Sequence, residues 1–261
     1  MDIATEHGPA RVVIEGPDGA GGVTGLELAD LAPAGPAGLN LAELAGTGPA
    51  GAGGSGAGGP AFLLALTHGA GGGTDSADLL AVRDAVARLG GVTARITQSY
   101  RVRGARAPGS VPKQDEAWIQ VIGALRAAAG PDCPLVVGGR SNGARVVCRT
   151  ASVVDAQAVI ALAFPLHPPG HPDRSRAGEL RAAGRRALVV NGDRDPFGVP
   201  GRMAGVRVVL LPGETHALTR HPAAVGAAVT AWLPRVLGLP RPAAAKRQRA
   251  GAVRRSGLSL A

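Results

Sequence analysis

From residue 61 onward the chain alternates short, unbroken apolar runs with longer amphipathic stretches, and few architectures accept that order. AFLLALTHG (61–69), TARITQSY (93–100), LVVGG (135–139), AVIALAF (158–164), RALVVNG (186–192) and RVVLLPG (207–213) read as strands. Between them, SADLLAVRDAVARLG (76–90), DEAWIQVIGALRAAAG (115–130), NGARVVCRTA (142–151), a stretch near 175–184 and AAVGAAVTAWLPRVLG (223–238) read as helices. In the first of these, apolar residues recur at 79, 80, 82, 86 and 89, and Gly90 stands where a helix stops. Strands that are apolar at every position must be covered on both faces, which calls for a mostly parallel sheet between two helical layers. The expected class is therefore α/β. With only 2% aromatic residues, its core has to be made of Val, Leu, Ile and Ala.

The remainder divides by composition. RVVIE (11–15) reads as a strand within an N-terminal region, 1–31, and Gly16-Pro17-Asp18-Gly19 should turn the chain after it. Residues 32–60 are rich in Gly, Ala and Pro, with eight glycines among positions 46–60, so a flexible insertion is expected. The body is placed at 61–238 and a basic, disordered tail at 239–261. From Arg241 onward six bases and no acid occur; subtracting those six from the chain's 28 leaves 22 bases against 19 acids in residues 1–240. The net charge of +9 thus belongs mostly to the tail. That tail could touch nucleic acid or an anionic surface, but it has no aromatic side chain for base stacking, and no nucleic-acid partner is expected.

Cys133 and Cys148 are expected to be free thiols. A strand over 135–139 followed by a returning helix leaves them on different layers, beyond bonding reach. Free thiols, an N-terminus without a leader-like apolar stretch, and no run of about 20 apolar residues predict a soluble cytoplasmic protein with no membrane span.

In a parallel sheet the chemistry sits at the carboxyl ends of the strands. Gly139-Arg140-Ser141-Asn142-Gly143 fits G-x-S-x-G between an apolar strand and a helix, where a sharp turn would lift the Ser141 hydroxyl clear of the backbone. A serine hydroxyl needs a base, and the base needs an acid to orient it. Asp195, in NGDRDP after one strand, is the expected acid, with Asp193 as the alternative. His216, in PGETHAL after the last strand, is the expected base, with His221 as its competitor. The expected oxyanion donors are the backbone N–H of Asn142 and that of Ala70, which follows His68-Gly69 in THGAGGGTD (67–75). No zinc-like spacing of Cys and His occurs, and Cys148 reads as packing. The 54 positions from Ser141 to Asp195 leave no room for a lid domain.

With these residues in place, the chain from about 61 to 238 resembles the α/β-hydrolases. More narrowly, it resembles the small hydrolase-like family that includes a testis-expressed protein and a subunit of the NSL histone acetyltransferase complex. It is also similar to dienelactone hydrolases. The resemblance rests on LTHGAGGGTD, QSYRVRGARAPGSVPKQDEAW, VGGRSNGARV, FPLHPPG, NGDRDPFG and PGETHAL. Asn142 replaces the Met or other apolar residue usual in such relatives, and Ala144 replaces a frequent Gly. The resemblance implies a lidless α/β-hydrolase fold. It also implies a serine hydrolase that cleaves a small ester or thioester without cofactor or metal. Tyr100 and Arg101, with Arg103 nearby, would lie at the rim and contact substrate. The rival expectation is a non-catalytic interaction module on the same scaffold, since relatives act within complexes.

Overall fold

The computed structural model describes residues 1–18, 23–26, 60–184 and 186–240. The insertion expected at 32–60 lies outside these residues except for Pro60, and so does the tail expected at 239–261 beyond Pro240.

Nine strands of the described residues form one sheet. In chain order they are β1 (Asp2–Ile3), β2 (Ala10–Pro17), β3 (Val23–Leu26), β4 (Leu63–Thr67), β5 (Val92–Thr97), β6 (Leu135–Arg140), β7 (Ala158–Leu162), β8 (Ala187–Gly192) and β9 (Val206–Leu211). The strands lie in the order β1-β2-β5-β4-β6-β7-β8-β9, with β3 also paired to β2. From β5 to β9 all pairings are parallel, whereas β2 runs antiparallel to β1, β3 and β5. The helices are α1 (Ala77–Arg88), α2 (Ser99–Val102), α3 (Val111–Ala129), α4 (Asn142–Thr150), α5 (Ala177–Ala182) and α6 (Pro222–Leu237).

The two helical layers bury two cores. On one face Trp118, Val121, Ile122 and Leu125 of α3 pack with Val146, Val147 and Cys148 of α4 against Leu63, Ala65, Val137 and Val189. On the other, Leu79, Val82 and Val86 of α1 pack with Val225, Val229 and Leu233 of α6 against Leu64, Leu66, Val136 and Ile160. Alternate residues of β4 and β6 therefore enter opposite cores, which is why these strands read as continuous apolar runs. By contrast, β2 alternates, with Val12 and Ile14 buried and Arg11 and Val13 outward.

Three of the boundaries that differ from expectation have a structural reason. β2 continues through Gly16 and Pro17, because both pair with β3. β5 stops at Thr97, and Ser99-Tyr100 open the short helix α2 instead of extending the strand. α3 starts four residues early, after Ser110, with Pro112 in its first turn; an N–H is not needed there, so proline fits. Cys133 and Cys148 are both free. Among the described residues no helix is long and apolar enough to cross a membrane.

The strand order also locates the chemistry. From β4 the chain crosses through α1 to β5 on one side, then returns through α3 to β6 on the other. Order therefore reverses between β4 and β6, and at such a reversal the loops leaving the two strands open a crevice at their carboxyl ends. Ser141 follows β6, and His68-Gly69-Ala70 follow β4. Between α4 and β8 the described chain holds β7 and the six-residue α5, with no inserted domain.

Candidate active site

Ser141 has φ 52° and ψ −113°, a backbone geometry that L side chains rarely adopt. Close packing enforces it. A Cβ at Gly139 would run into the backbone carbonyl of Gly143, and one at Gly143 would lie 2.5 Å from the His68 carbonyl oxygen. Gly139 lets β6 and α4 meet tightly and Gly143 lets α4 close on the end of β4, so Ser141 is held up at the junction. Such strain persists only where the surroundings over-determine it.

The structure brings the three separated side chains together. His216 Nε2 lies 2.8 Å from Ser141 Oγ, and His216 Nδ1 lies 2.9 Å from Asp195 Oδ2. The Asp195 side chain is fully buried, while that of His216 is 20% exposed. Asp195 accepts two further bonds, from Asn191 Nδ2 at 3.3 Å and from the Phe197 backbone N–H at 2.9 Å. A carboxylate held by such donors is acceptor-only, so His216 Nδ1 must be the protonated nitrogen and Nε2 faces Ser141 as a base. The Phe197 ring stacks on the imidazole, with centroids 4.2 Å apart. The alternatives lie elsewhere. Asp193 is exposed and caps a turn, accepting from the Gly213 N–H at 2.8 Å. His221 is exposed at the start of α6.

Asn142 is the first residue of α4, so its N–H has no carbonyl partner within the helix. Ala70 lies in a loop that passes beside the serine: a Cβ on Gly69 would be 3.1 Å from Ser141 Cβ. That loop is pinned along its length. Thr67 Oγ1 donates to the Ile96 carbonyl at 2.8 Å, Gln98 Nε2 to the His68 carbonyl at 2.9 Å, and the Tyr100 hydroxyl to the Ala70 carbonyl at 3.0 Å. Farther along, Arg95 donates to the Thr74 carbonyl at 3.0 Å and pairs with Asp75, while Glu15 anchors its other end. Tyr100, expected to touch substrate, is thus buried and braces the loop. Burial raises its phenol pKa, against the lowering charge of Arg101. Arg101 is half-buried on α2.

His68 is fully buried with both nitrogens used. Nδ1 lies 2.8 Å from the Gly69 carbonyl and must donate, because Nε2 accepts from the Gln98 N–H at 3.0 Å. Burial holds its pKa below the ordinary 6.5, partly offset by the Gly69 bond and reinforced by the charge of Arg101. The neutral ring is therefore part of the native state. Below about pH 6.5 the unfolded chain takes up a proton that the folded chain resists. The stability His68 contributes is fully present above that pH and is lost as pH falls through the depressed folded value. We expect thermal midpoints measured from pH 8 to 5 to fall on acidification, and to fall less steeply in His68→Gln.

Sequence reasoning missed two supports. Arg140 Nε pairs with Asp78 Oδ2 at 2.9 Å, and Arg140 Nη2 donates to the carbonyls of His216 at 3.1 Å and Ala217 at 3.2 Å. The residue before the serine therefore ties the histidine loop to α1. Gln114 is the second: its Oε1 accepts from Asn142 Nδ2 at 2.8 Å. Neither pairing leaves a local pattern in the sequence. Asp78 is 1% exposed, so Arg140→Met strands a buried carboxylate. It should cost about 3 kcal/mol, read by denaturant unfolding.

Cys148 is buried in α4, and burial pushes its thiol well above the ordinary range, with the Glu179 charge adding to the effect. It packs and is not poised to react. Among the described residues no group of three or more His, Cys, Asp or Glu is placed to hold a metal ion.

A protein-family model described as an alpha/beta hydrolase domain matches residues 60–218, more than half of the chain. No curated protein sequence matches. Among solved structures, the chain is similar to XC6422 of Xanthomonas campestris, described as an α/β serine hydrolase without lid. The identity is 18% and the TM-score 0.62, covering 92% of this chain and 94% of that one. Est1E from Butyrivibrio proteoclasticus matches at 16% identity and TM-score 0.60, over 91% and 98% of the two chains. Dienelactone hydrolase from Anabaena variabilis matches at 15% and 0.59, over 90% and 95%.

Proposed function

The chain belongs to the α/β-hydrolase domain family, and from that premise we propose that it is a serine hydrolase acting on small carboxylic esters or thioesters. The observation that carries this reading is the continuous relay from Asp195 through His216 to Ser141, at 2.9 and 2.8 Å. Ser141 Oγ attacks the acyl carbon while His216 Nε2 takes its proton. Asp195 keeps the proton on Nδ1 in place and stabilises the imidazolium that forms. The carbonyl oxygen becomes an oxyanion, received by the backbone N–H groups of Ala70 and Asn142. His216 then protonates the departing alcohol or thiol, leaving an acyl-serine. A water, deprotonated by the same imidazole, releases the acid and restores the hydroxyl.

Each chain element supports one requirement of this scheme. The strained turn presents the hydroxyl, the pinned glycine loop presents one N–H, and the first turn of α4 presents the other. A pure interaction module on this scaffold has no need of all three groups in bonding contact. The absence of an inserted domain between Ser141 and Asp195 among the described residues suits short or protruding acyl groups. Hydrolysis of p-nitrophenyl acetate and butyrate by the purified chain, compared with His216→Ala, tests the reading. Turnover lost with the histidine supports it; equal background rates in both proteins contradict it.

A further inference from the structure

The loop that carries one of the two oxyanion donors is built from residues that cannot hold their own shape. Gly69 has little room for a side chain beside the serine, since a Cβ there would lie 3.1 Å from Ser141 Cβ, and Gly71, Gly72 and Gly73 follow Ala70. Glycine rotates freely on both sides of its Cα, so the Gly69–Ala70 peptide can flip at little cost unless something clamps it. Ala70 serves as a donor in only one of the two orientations. Among the described residues, its N–H has no hydrogen-bond acceptor of its own to select that one.

The clamp comes from the preceding side chain. A peptide unit is planar, and none of the described peptide bonds is cis, so the Gly69 carbonyl and the Ala70 N–H point in opposite directions. His68 Nδ1 donates to that carbonyl at 2.8 Å, which turns the Ala70 N–H away from the imidazole. The ring is itself held: it is fully buried, and its Nε2 accepts from the Gln98 N–H at 3.0 Å. The Gly72 N–H reaches the same carbonyl at 3.3 Å. It belongs to the glycine run, where a Cβ at Gly71, Gly72 or Gly73 would meet nothing within 4 Å, so that bond has no packing behind it. The Tyr100 hydroxyl holds the Ala70 carbonyl at 3.0 Å, which fixes the next peptide and not this one.

We propose that His68 is a positioning residue: with its proton on Nδ1, it fixes the plane of the Gly69–Ala70 peptide and aims the Ala70 N–H at the oxyanion. The inference rests on the hydrolase reading above, which gives that N–H its role. It needs the two ring nitrogens in different capacities, Nε2 to seat the ring and Nδ1 to set the peptide.

Two substitutions separate these capacities. In His68→Asn the amide nitrogen takes the place of Nδ1 and can donate to the Gly69 carbonyl, while the Gln98 N–H loses its acceptor. In His68→Gln the amide oxygen takes the place of Nε2 and can accept from Gln98, while the clamp on the carbonyl is lost. With p-nitrophenyl acetate, His68→Gln should lose about 100-fold in kcat with little change in KM, and His68→Asn should stay within about tenfold of the wild type, since an oxyanion donor acts on the transition state. Denaturant unfolding should rank the two the other way. His68→Asn should be the less stable, because it leaves the Gln98 N–H unpaired beside a larger void. A role in folding alone would make the less stable variant the less active one. Equal kcat losses in the two variants, a greater loss in His68→Asn, or a rise in KM in place of the fall in kcat overturns the proposal. Long-range ¹H–¹⁵N NMR correlations of His68 give a second test that needs no turnover. A proton on Nδ1 and none on Nε2 is expected, and the opposite tautomer overturns the proposal. The expected tautomer with no hydrolysis by the wild-type chain would instead leave the peptide clamp standing and remove the hydrolase reading.

Discussion

Replacing Ser141 by glycine or by alanine should abolish ester hydrolysis equally, by about a millionfold in kcat, yet the glycine variant should be the more stable of the two by about 1–2 kcal/mol. Both variants lose the hydroxyl and its 2.8 Å bond to His216, so those losses cancel in the comparison. What differs is the Cβ. At φ 52° and ψ −113° an alanine keeps the steric strain of the native turn and glycine relieves it. Away from positive φ the order is reversed, since glycine costs more conformational entropy on folding. Paired denaturant unfolding of the two variants reads the difference directly. Alanine the more stable would mean that the turn is not strained.

Asp195→Asn should lower kcat about ten-thousandfold while leaving a folded protein. The reason is a conflict of donors. The native carboxylate accepts from His216 Nδ1 and Asn191 Nδ2 on one oxygen and from the Phe197 N–H on the other. An amide in this place can satisfy only part of that set. If its oxygen keeps the Phe197 bond, its NH₂ faces His216 and drives the imidazole to the tautomer with the proton on Nε2. That nitrogen then donates toward Ser141 and cannot take its proton. If the amide flips, its NH₂ opposes the Phe197 N–H and loosens the turn after β8. Activity that persists near the wild-type level in Asp195→Asn would show that this carboxylate does not set the tautomer.

The architecture was legible because its signals are local. β4, β6, β7 and β8 are buried on both faces, so each is apolar throughout, and the helices between them carry their own periodicity and stops. Ser141, Asp195 and His216 could be nominated because each lies in the loop that leaves a strand end, after β6, β8 and the half-exposed edge strand β9. The supports were not legible. Arg140 meets Asp78 across 62 positions, Gln114 meets Asn142 across 28, and Tyr100 meets Ala70 across 30. Such pairings depend on which strand ends lie side by side, and that follows from the reversal between β4 and β6. Tyr100 shows the consequence. Expected at the end of a strand, it lies instead on α2, where it is buried and holds the loop.

Under the proposed function, the strained serine after β6 is a nucleophile activated by His216. Treatment of the folded chain with a fluorophosphonate, followed by mass analysis of its peptides, probes that activation. The predicted result is one phosphonyl adduct per chain, on the peptide carrying Ser141, formed by the wild type and lost in both Ser141→Ala and His216→Ala. No adduct on the folded wild-type protein, or one that forms on Ser141 just as fast without His216, would contradict it.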